Sequence, residues 1–437
     1  MKRPLPEEIV EFLSFSLSND STAALKRFTL RDWKRVLQWL DDAGIAFYFL
    51  QKLKDTNATD LVPSEVLTCL ETNFRANKER VEDMSRRFDS LNRAFNNAGV
   101  RYAVLKGLSL VPEFCPCAPL RHQGDFDYLV DANSLEAAQR ILAEAGYVPK
   151  ERRQVQEFIY LIPGAAAPSR GAEQYSARAP HAVELHVDFW NENQHGLPSI
   201  PNLFSVERAG LHEWNGSPFP ALTDEDAFLL QVLHACQHLF THWIRMSCFL
   251  EIGHFMNRRA NDTALWNRIE QRVGDNPVLR EFVVVVCGLV DKLFSPPLPL
   301  LVRDWNTKIR PAPRVWIEKY ARHWAFCELP VYQFTLFPRR KLVVFLQRQY
   351  MGTAPAARSS LEKGTLQKGA LPTSRLSRVA SALRKDPSLA LNASWWKRQF
   401  LVKRGIFHTL SGLRYLCEIP RWLWLTRGGI RSLPLDN

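Results

Sequence analysis

The residues best suited to chemistry are Asp125 and Asp127, which flank Phe126 and lead into Tyr128-Leu129-Val130. Alternate side chains of an extended strand share a face, so the two carboxyls project from one side with their Cα atoms about 6.5 Å apart. Like charges that close repel, and the apolar neighbours make this a buried strand, where unpaired acids are costly. A divalent cation gripped by both carboxyls resolves the conflict. The plain alternative for an arbitrary Asp-x-Asp is a solvated strand edge, and the aromatic and aliphatic flanks shift the reading towards a metal site.

Upstream, Ala103-Val104-Leu105 reads as a strand, and Lys106-Gly107-Leu108-Ser109 as the turn that leaves it for a helix. Glycine lets backbone N–H groups approach a phosphate, and a helix N-terminus favours negative charge. Lys106 adds a cation and Ser109 a hydroxyl. Alone, Lys-Gly-x-Ser fits any strand-to-helix turn; followed by Arg121 and then Asp-x-Asp, it becomes specific. Downstream, the alternation in His181–Trp190 places Glu184, His186 and Asp188 on one face, with Val183, Leu185, Val187 and Phe189 on the other. A third carboxylate from a neighbouring strand is what two-metal phosphoryl chemistry uses. A cross-strand salt bridge is the plain alternative for Glu184, and a hydrogen-bonded structural role the plain alternative for His186.

In this order the motifs resemble the nucleotidyltransferase superfamily of DNA polymerase beta, with its minimal and abortive-infection-type members. More closely, Val104-Leu105-Lys106-Gly107, Arg121, Asp125-x-Asp127-x-Leu129-Val130, Gly146-Tyr147 and Glu184-Leu185-His186 are similar to an uncharacterised nucleotidyltransferase family often found in bacterial biosynthetic clusters. The resemblance covers residues 65–260. It implies an α+β fold, a nucleotidyltransferase-like mixed β-sheet with flanking helices, embedded in a mostly helical chain. The activity it implies is transfer of an NMP group from an NTP to the hydroxyl of an unidentified acceptor, with Mg²⁺ or Mn²⁺ as cofactor. Asp125, Asp127 and Glu184 would be the catalytic residues and metal ligands, Glu184 in the base role. Lys106, Gly107, Ser109, Arg121, His186, His234 and His238 would contact nucleotide or phosphate. Arg121 would either neutralise charge on the phosphates or pair with an acid and so orient that acid. The chain departs from the family in Gly107-Leu108-Ser109, where Gly-Gly or Gly-Ser is usual, in a longer spacer before Asp125, and in Glu251, where Asp is typical.

Composition sets the frame for these motifs. The 437 residues are 46% hydrophobic and 23% charged, ordinary for globular domains, with 13 tryptophans. Eight scattered cysteines, of which only Cys115 and Cys117 lie close together, form no zinc frame and no secreted disulfide scaffold, which fits a reduced cytoplasmic compartment. The N-terminus lacks a signal-peptide core, and the longest apolar run, Phe282–Val290, is too short to span a bilayer. Net charge is +12, but residues 331–437 alone carry 19 Lys and Arg against 4 Asp and Glu, so the surplus lies in the tail.

The elements that must position the motifs follow from periodicity. Residues 1–98 read as an N-terminal helical region with helices at Trp33–Leu53 and Ser64–Ala98, the second carrying Leu67, Leu70, Phe74, Val81, Met84, Phe88, Leu91 and Phe95 on one face. Residues 99–192 form the catalytic core; in it Asn133 with Glu136 is expected to cap a helix that stops at Gly146, Asp131 is a capping or turn residue, and Phe158–Ile162 is a strand. Residues 193–350 form a helical domain, helical throughout from Pro201 to Val290. There Thr223 starts a helix bearing His234 and His238, with His242 on the same stripe; four-residue spacing suits zinc, but no third ligand stands at a fixed distance. Structural hydrogen bonding is the plain role for this pair.

Residues 351–392 read as a flexible linker, and 393–437 interleave aromatic and basic residues, as in Trp395-Trp396-Lys397-Arg398 and Arg421-Trp422-Leu423-Trp424. This tail suits peripheral contact with an anionic membrane surface or a protein partner, with nucleic acid the least supported because no recognition motif accompanies it. Two other functions compete with the enzyme: a non-catalytic nucleotide-binding or scaffold protein, which has no need to keep three acids on one surface, and a toxin-like enzyme modifying RNA or protein.

Overall fold

The structure, a computed structural model, describes residues 4–16, 23–150, 157–162, 172–177, 179, 181–187, 200, 203–241 and 245–326, with residues 420 and 424. Asp188, His242, the linker 351–392 and almost all of the tail 393–437 lie outside them. Met1–Gln194 and Ser199–Ile309 form one compact unit, so the N-terminal helices, the sheet and the following helices pack together. The second unit, His195–Pro198 with Arg310–Asn437, contains the helix Pro311–Ala325.

The described strands are β1 (Tyr102–Val104), β2 (Asp125–Val130), β3 (Val148–Pro149), β4 (Glu157–Leu161), β5 (Ala182–His186), β6 (Gly210–Trp214) and β7 (Ser217–Ala221), in the sheet order β3-β4-β5-β2-β1-β7-β6. The sheet is mixed: β2 runs parallel to β5 and antiparallel to β1, while β1 runs parallel to β7. Its architecture is α+β, as expected. On one face Phe126, Tyr128 and Val130 of β2 and Val183 and Leu185 of β5 share a core with Phe88, Leu91 and Phe95 of a long helix, Ser64–Asn97, and with Ala138, Ile141 and Leu142 of Leu135–Glu144. Phe88 meets Phe219 edge to face at 5.0 Å, and Phe95 meets Tyr128 at 5.3 Å. Burying each such ring stabilises by about 1.5–3 kcal/mol, so period-two alternation locks this face inward and commits the acids to the other.

The helices before the sheet are α1 (Leu5–Phe12), α2 (Leu30–Asp42), α3 (Ala46–Asp55) and α4 (Ser64–Asn97). The single helix expected over Trp33–Leu53 is thus two, because Gly44 takes a left-handed φ of 72° and has no room for a side chain: a Cβ there would lie 2.8 Å from Ser247 Oγ. α4 ends as expected at Gly99, whose φ is 67°, and Val100 N–H donates back to Phe95 O at 3.0 Å before β1 begins. α4 also buries polar residues that its apolar periodicity did not mark, and two of them reach the chain ahead of β2. Asn77 donates to the carbonyls of Pro119 and Arg121, and Arg80 donates to those of Gln123, Ser176 and Ala179. They pin the connection that delivers the chain to Asp125. Replacing Arg80 by Met removes charged donors from one buried and two partly buried carbonyls and is expected to destabilise the fold by on the order of 3 kcal/mol, read as a lowered urea midpoint; an unchanged midpoint would show that the connection holds itself.

Three further expectations need correction. The helix after Lys106 is only a 3₁₀ turn, Gly107–Leu110. Asp131, rather than Asn133, is the cap: its Oδ1 accepts from Asn133 N–H at 2.9 Å and starts a 3₁₀ turn from which α5 (Leu135–Glu144) continues. The helical reading of 201–290 is interrupted by the hairpin β6–β7, which turns on Asn215 and Gly216 with φ of 49° and 79°, the conformation such two-residue turns require. Pro218 and Pro220 within β7 hide the alternation that would have announced a strand. Helices α6 (Asp224–Thr241), α7 (Met246–Arg259), α8 (Thr263–Val273), α9 (Pro277–Phe294) and α10 (Leu300–Lys308) complete the first unit. Among the described residues no helix is long and apolar enough to cross a membrane.

Candidate active site

Register brings the acids together. In the parallel pair β2–β5, Asp127 lies opposite Glu184, Asp125 opposite Ala182 and Leu129 opposite His186. Cross-strand partners share a face, so Asp125, Asp127, Glu184 and His186 all project from the side away from the aromatic core. One ligating atom from each of Asp127, Glu184 and His186 lies within 4.8 Å of the others. His186 Nε2 is 3.5 Å from Asp127 Oδ1 and 3.8 Å from Glu184 Oε2. The Asp127 side chain is 3% exposed and that of Glu184 21%, so Glu184 is the more open of the two.

Lys106 is the internal counter-ion. Its Nζ donates to Asp127 Oδ1 at 3.1 Å, so the residue expected at phosphate lies on a carboxylate here. Burial opposes ionisation of Lys106, but Asp127, Asp125 and Glu184 outweigh it and hold the ammonium above its ordinary range. Burial likewise opposes ionisation of Asp127, and the Lys106 ammonium and the His186 hydrogen bond outweigh it, holding that carboxyl well below the usual carboxylate range. Asp125 goes the other way: burial and the Asp127 charge push it up, with Lys106, Arg121 and Arg245 compensating only in part. Two carboxyls on one strand face are thereby driven apart.

The preceding turn is built as expected around glycine. Gly107 has φ of 77°, and a Cβ there would collide with the Gln123 amide, whose Nε2 donates to Asp125 O at 3.1 Å. Ser109 Oγ donates to the Lys106 carbonyl at 3.3 Å. Gly107→Ala is therefore expected to destabilise by about 1–3 kcal/mol by displacing Gln123 from Asp125, measured as a urea midpoint. A wild-type midpoint would show that the turn does not depend on this glycine.

Arg121 pairs with an acid, but with Glu251 rather than with one of the sheet acids. Its Nε donates to Glu251 Oε1 at 3.1 Å, and Tyr48 OH donates to the same oxygen at 3.1 Å. Both ionic side chains are almost inaccessible, at 11% and 1% exposed. Burial disfavours the guanidinium charge, but Glu251 dominates and raises its pKa. Arg245, which sequence reasoning passed over, donates from Nη2 to His122 O at 2.8 Å and contributes positive charge near Asp125.

His234 and His238 stand beside this region on α6, their Nε2 atoms 3.2 Å apart. Burial first, then the charges of Lys106, His238, Arg121 and Arg245, hold His234 well below the ordinary imidazole range. Cys248 on α7 brings its Sγ to 3.9 Å from His234 Nδ1. Burial and then the Glu251 carboxylate push that thiol up to about 11. Nothing local in the sequence marks Cys248, because the crossing of two helices makes it a neighbour.

Carboxylate oxygens suit a hard divalent cation such as Mg²⁺ or Mn²⁺; the ligand atoms that converge are those of Asp127, Glu184 and His186, with Asp125 on the same strand face. Such an ion would compete with Lys106 for Asp127 Oδ1. A mixed sheet with acids aligned on adjacent parallel strands, beside a positive-φ glycine turn, places the protein in the class of nucleotidyltransferase-like α+β proteins. A family model described as uncharacterised nucleotidyltransferase matches residues 29–295, more than half of the chain, and the chain belongs to that family. The match runs from just before α2 to the end of α9 and contains every site residue named above. Searches of curated proteins and of solved structures give no match.

Proposed function

We propose that this protein is a metal-dependent nucleotidyltransferase that moves an NMP group from an NTP to an acceptor hydroxyl and releases pyrophosphate. The observation that carries the reading is the register of β2 and β5, which sets Asp127 against Glu184 and puts Asp125 on the same face. Asp125, Asp127 and Glu184 would hold Mg²⁺ or Mn²⁺, which supplies charge neutralisation on the triphosphate and lowers the pKa of the attacking hydroxyl. Glu184, the more open carboxylate, is placed to take the acceptor's proton as its oxygen attacks the α-phosphorus. Lys106, whose ammonium lies beside the three acids, would neutralise phosphate oxygens. His186 orients both carboxylates from their shared face. Arg121, held by Glu251, fixes the backbone that leads into Asp125 rather than reaching for substrate. Positioning and fixed charge supply most of the acceleration in such transfers.

The test is incubation of the full chain with each labelled NTP, Mg²⁺ and fractionated acceptors, beside an Asp125→Ala/Asp127→Ala variant. Transfer or pyrophosphate release by the wild type alone supports the reading. Nucleotide binding without turnover in any fraction would favour a scaffold, and neither binding nor turnover would remove the catalytic reading.

A further inference from the structure

Apart from the sheet acids, the described residues hold one other group of three side chains with converging ligand atoms: His234, His238 and Cys248. One ligand atom from each lies within 4.8 Å of the others, with His238 Nε2 3.2 Å from His234 Nε2 and Cys248 Sγ 3.9 Å from His234 Nδ1. Two ligands bound tetrahedrally to one zinc ion, with bonds of about 2.0–2.3 Å, sit roughly 3.3–3.8 Å from one another. The two short contacts run to opposite nitrogens of the His234 ring, so a shared ion takes one of them, and ligand atoms that lie within 4.8 Å of one another reach that spacing by movements on the order of 1 Å. Cys248 and His238 are buried, and Cys248 is a free thiol.

We infer that His234, His238 and Cys248 form a zinc site, separate from the sheet acids and of different metal preference. The donor set decides the metal: two imidazoles and a thiolate suit a borderline-soft cation such as Zn²⁺, whereas the carboxylates of β2 and β5 suit Mg²⁺ or Mn²⁺. Its secondary structure is equally suited. His234 and His238 are one helical turn apart on α6, and Cys248 comes from the third position of α7, so an ion would tie the two helices together across the short 242–245 connection. Binding forms bonds from Zn²⁺ to one nitrogen of each imidazole and to Sγ, and the Cys248 proton leaves to solvent. Three protein ligands leave one coordination position for an exchangeable ligand, as in zinc sites that are not closed structural ones. The alternative for the same geometry is a hydrogen bond between two neutral imidazoles beside an idle thiol.

Co²⁺ discriminates between these, because thiolate ligation gives an intense near-ultraviolet charge-transfer band that nitrogen or oxygen ligation lacks. The full chain, stripped with chelator and kept reduced, is titrated with Co²⁺ alone and then with Zn²⁺. The expected result is a charge-transfer band saturating at one Co²⁺ per chain and erased by Zn²⁺. Cys248→Ser should lack the band while keeping its circular dichroism, and Asp127→Asn/Glu184→Gln should retain it, showing that the sheet acids do not hold this ion. No band in the wild type, or a band that survives in Cys248→Ser, would overturn the assignment. Loss of the band in the sheet variant would equally overturn it, by placing the ion elsewhere. The readout does not involve nucleotide, so it stands or falls apart from the catalytic proposal.

Discussion

Asp127→Asn lowers nucleotidyl transfer by on the order of 10³-fold or more, and it also weakens the fold in a pH-dependent way. The activity loss follows from position: Asp127 is the acid that touches Glu184's strand partner site, Lys106 and His186 at once, so the amide removes the charge around which the other three are arranged. The stability loss follows from linkage. Burial raises the Asp127 pKa, Lys106 and His186 lower it by more, and the folded value therefore lies below the unfolded one. A carboxyl of that kind contributes stability that is fully present above its unfolded pKa and fades as pH falls through the acidic range towards the folded value. The variant should thus be less stable than wild type at neutral pH, with the difference shrinking on acidification. Asp125→Asn makes the contrast, because burial and Asp127 raise the Asp125 pKa, so its ionised form costs stability at neutral pH. That variant should lose transfer while keeping or gaining stability. Pyrophosphate release and urea midpoints at several pH values decide the matter; wild-type turnover in Asp127→Asn would end the catalytic reading.

These contrasting effects separate what was legible in the sequence from what was not. Asp125, Asp127, Glu184 and His186 could be placed on common faces beforehand because strand alternation is local and the apolar partners Phe126, Tyr128, Val183 and Leu185 announce which face is inward. α4 was legible for the same reason, its apolar spacing from Val81 to Phe95 leading to a glycine stop, whereas the polar residues Asn73, Asn77 and Arg80 on its buried face were not. Lys106 was legible as a cation beside the acids, but its ion pair with Asp127 was not, since a pair across two strands depends on register rather than on spacing. Gly44 and the pair Asn215-Gly216 are strong local signals that helical periodicity around them obscured; in β7 the two prolines erased the competing strand pattern. Cys248 had no accessible signal as a site residue, and Glu251 was marked only by the family resemblance with no partner indicated, because they approach His234 and Arg121 only where α7 packs beside α6 and the 115–123 connection. Long-range ionic partnerships were therefore the least readable feature, and they carry much of the site's electrostatics.

The second large effect concerns such a partnership. Glu251→Ala is expected to destabilise the protein by about 3–5 kcal/mol, because it leaves the Arg121 guanidinium buried without its counter-charge and deprives Tyr48 of an acceptor. The pair itself need not stabilise by that amount: taking two charges out of water costs nearly what their attraction returns, so a double replacement, Arg121→Met/Glu251→Leu, should recover most of the loss. Recovery of stability need not restore activity. Arg121 lies four residues before Asp125, its charge lowers the Asp125 pKa, and its backbone carbonyl accepts from Asn77, so the double variant should fold well yet transfer nucleotide more slowly than wild type. Urea unfolding of the four members of the cycle gives the coupling energy, and turnover on the same samples gives the functional cost. A Glu251→Ala variant within about 1 kcal/mol of wild type would mean that water or another group satisfies Arg121. A double variant as unstable as the single one would mean that packing, rather than charge, is what Glu251 contributes.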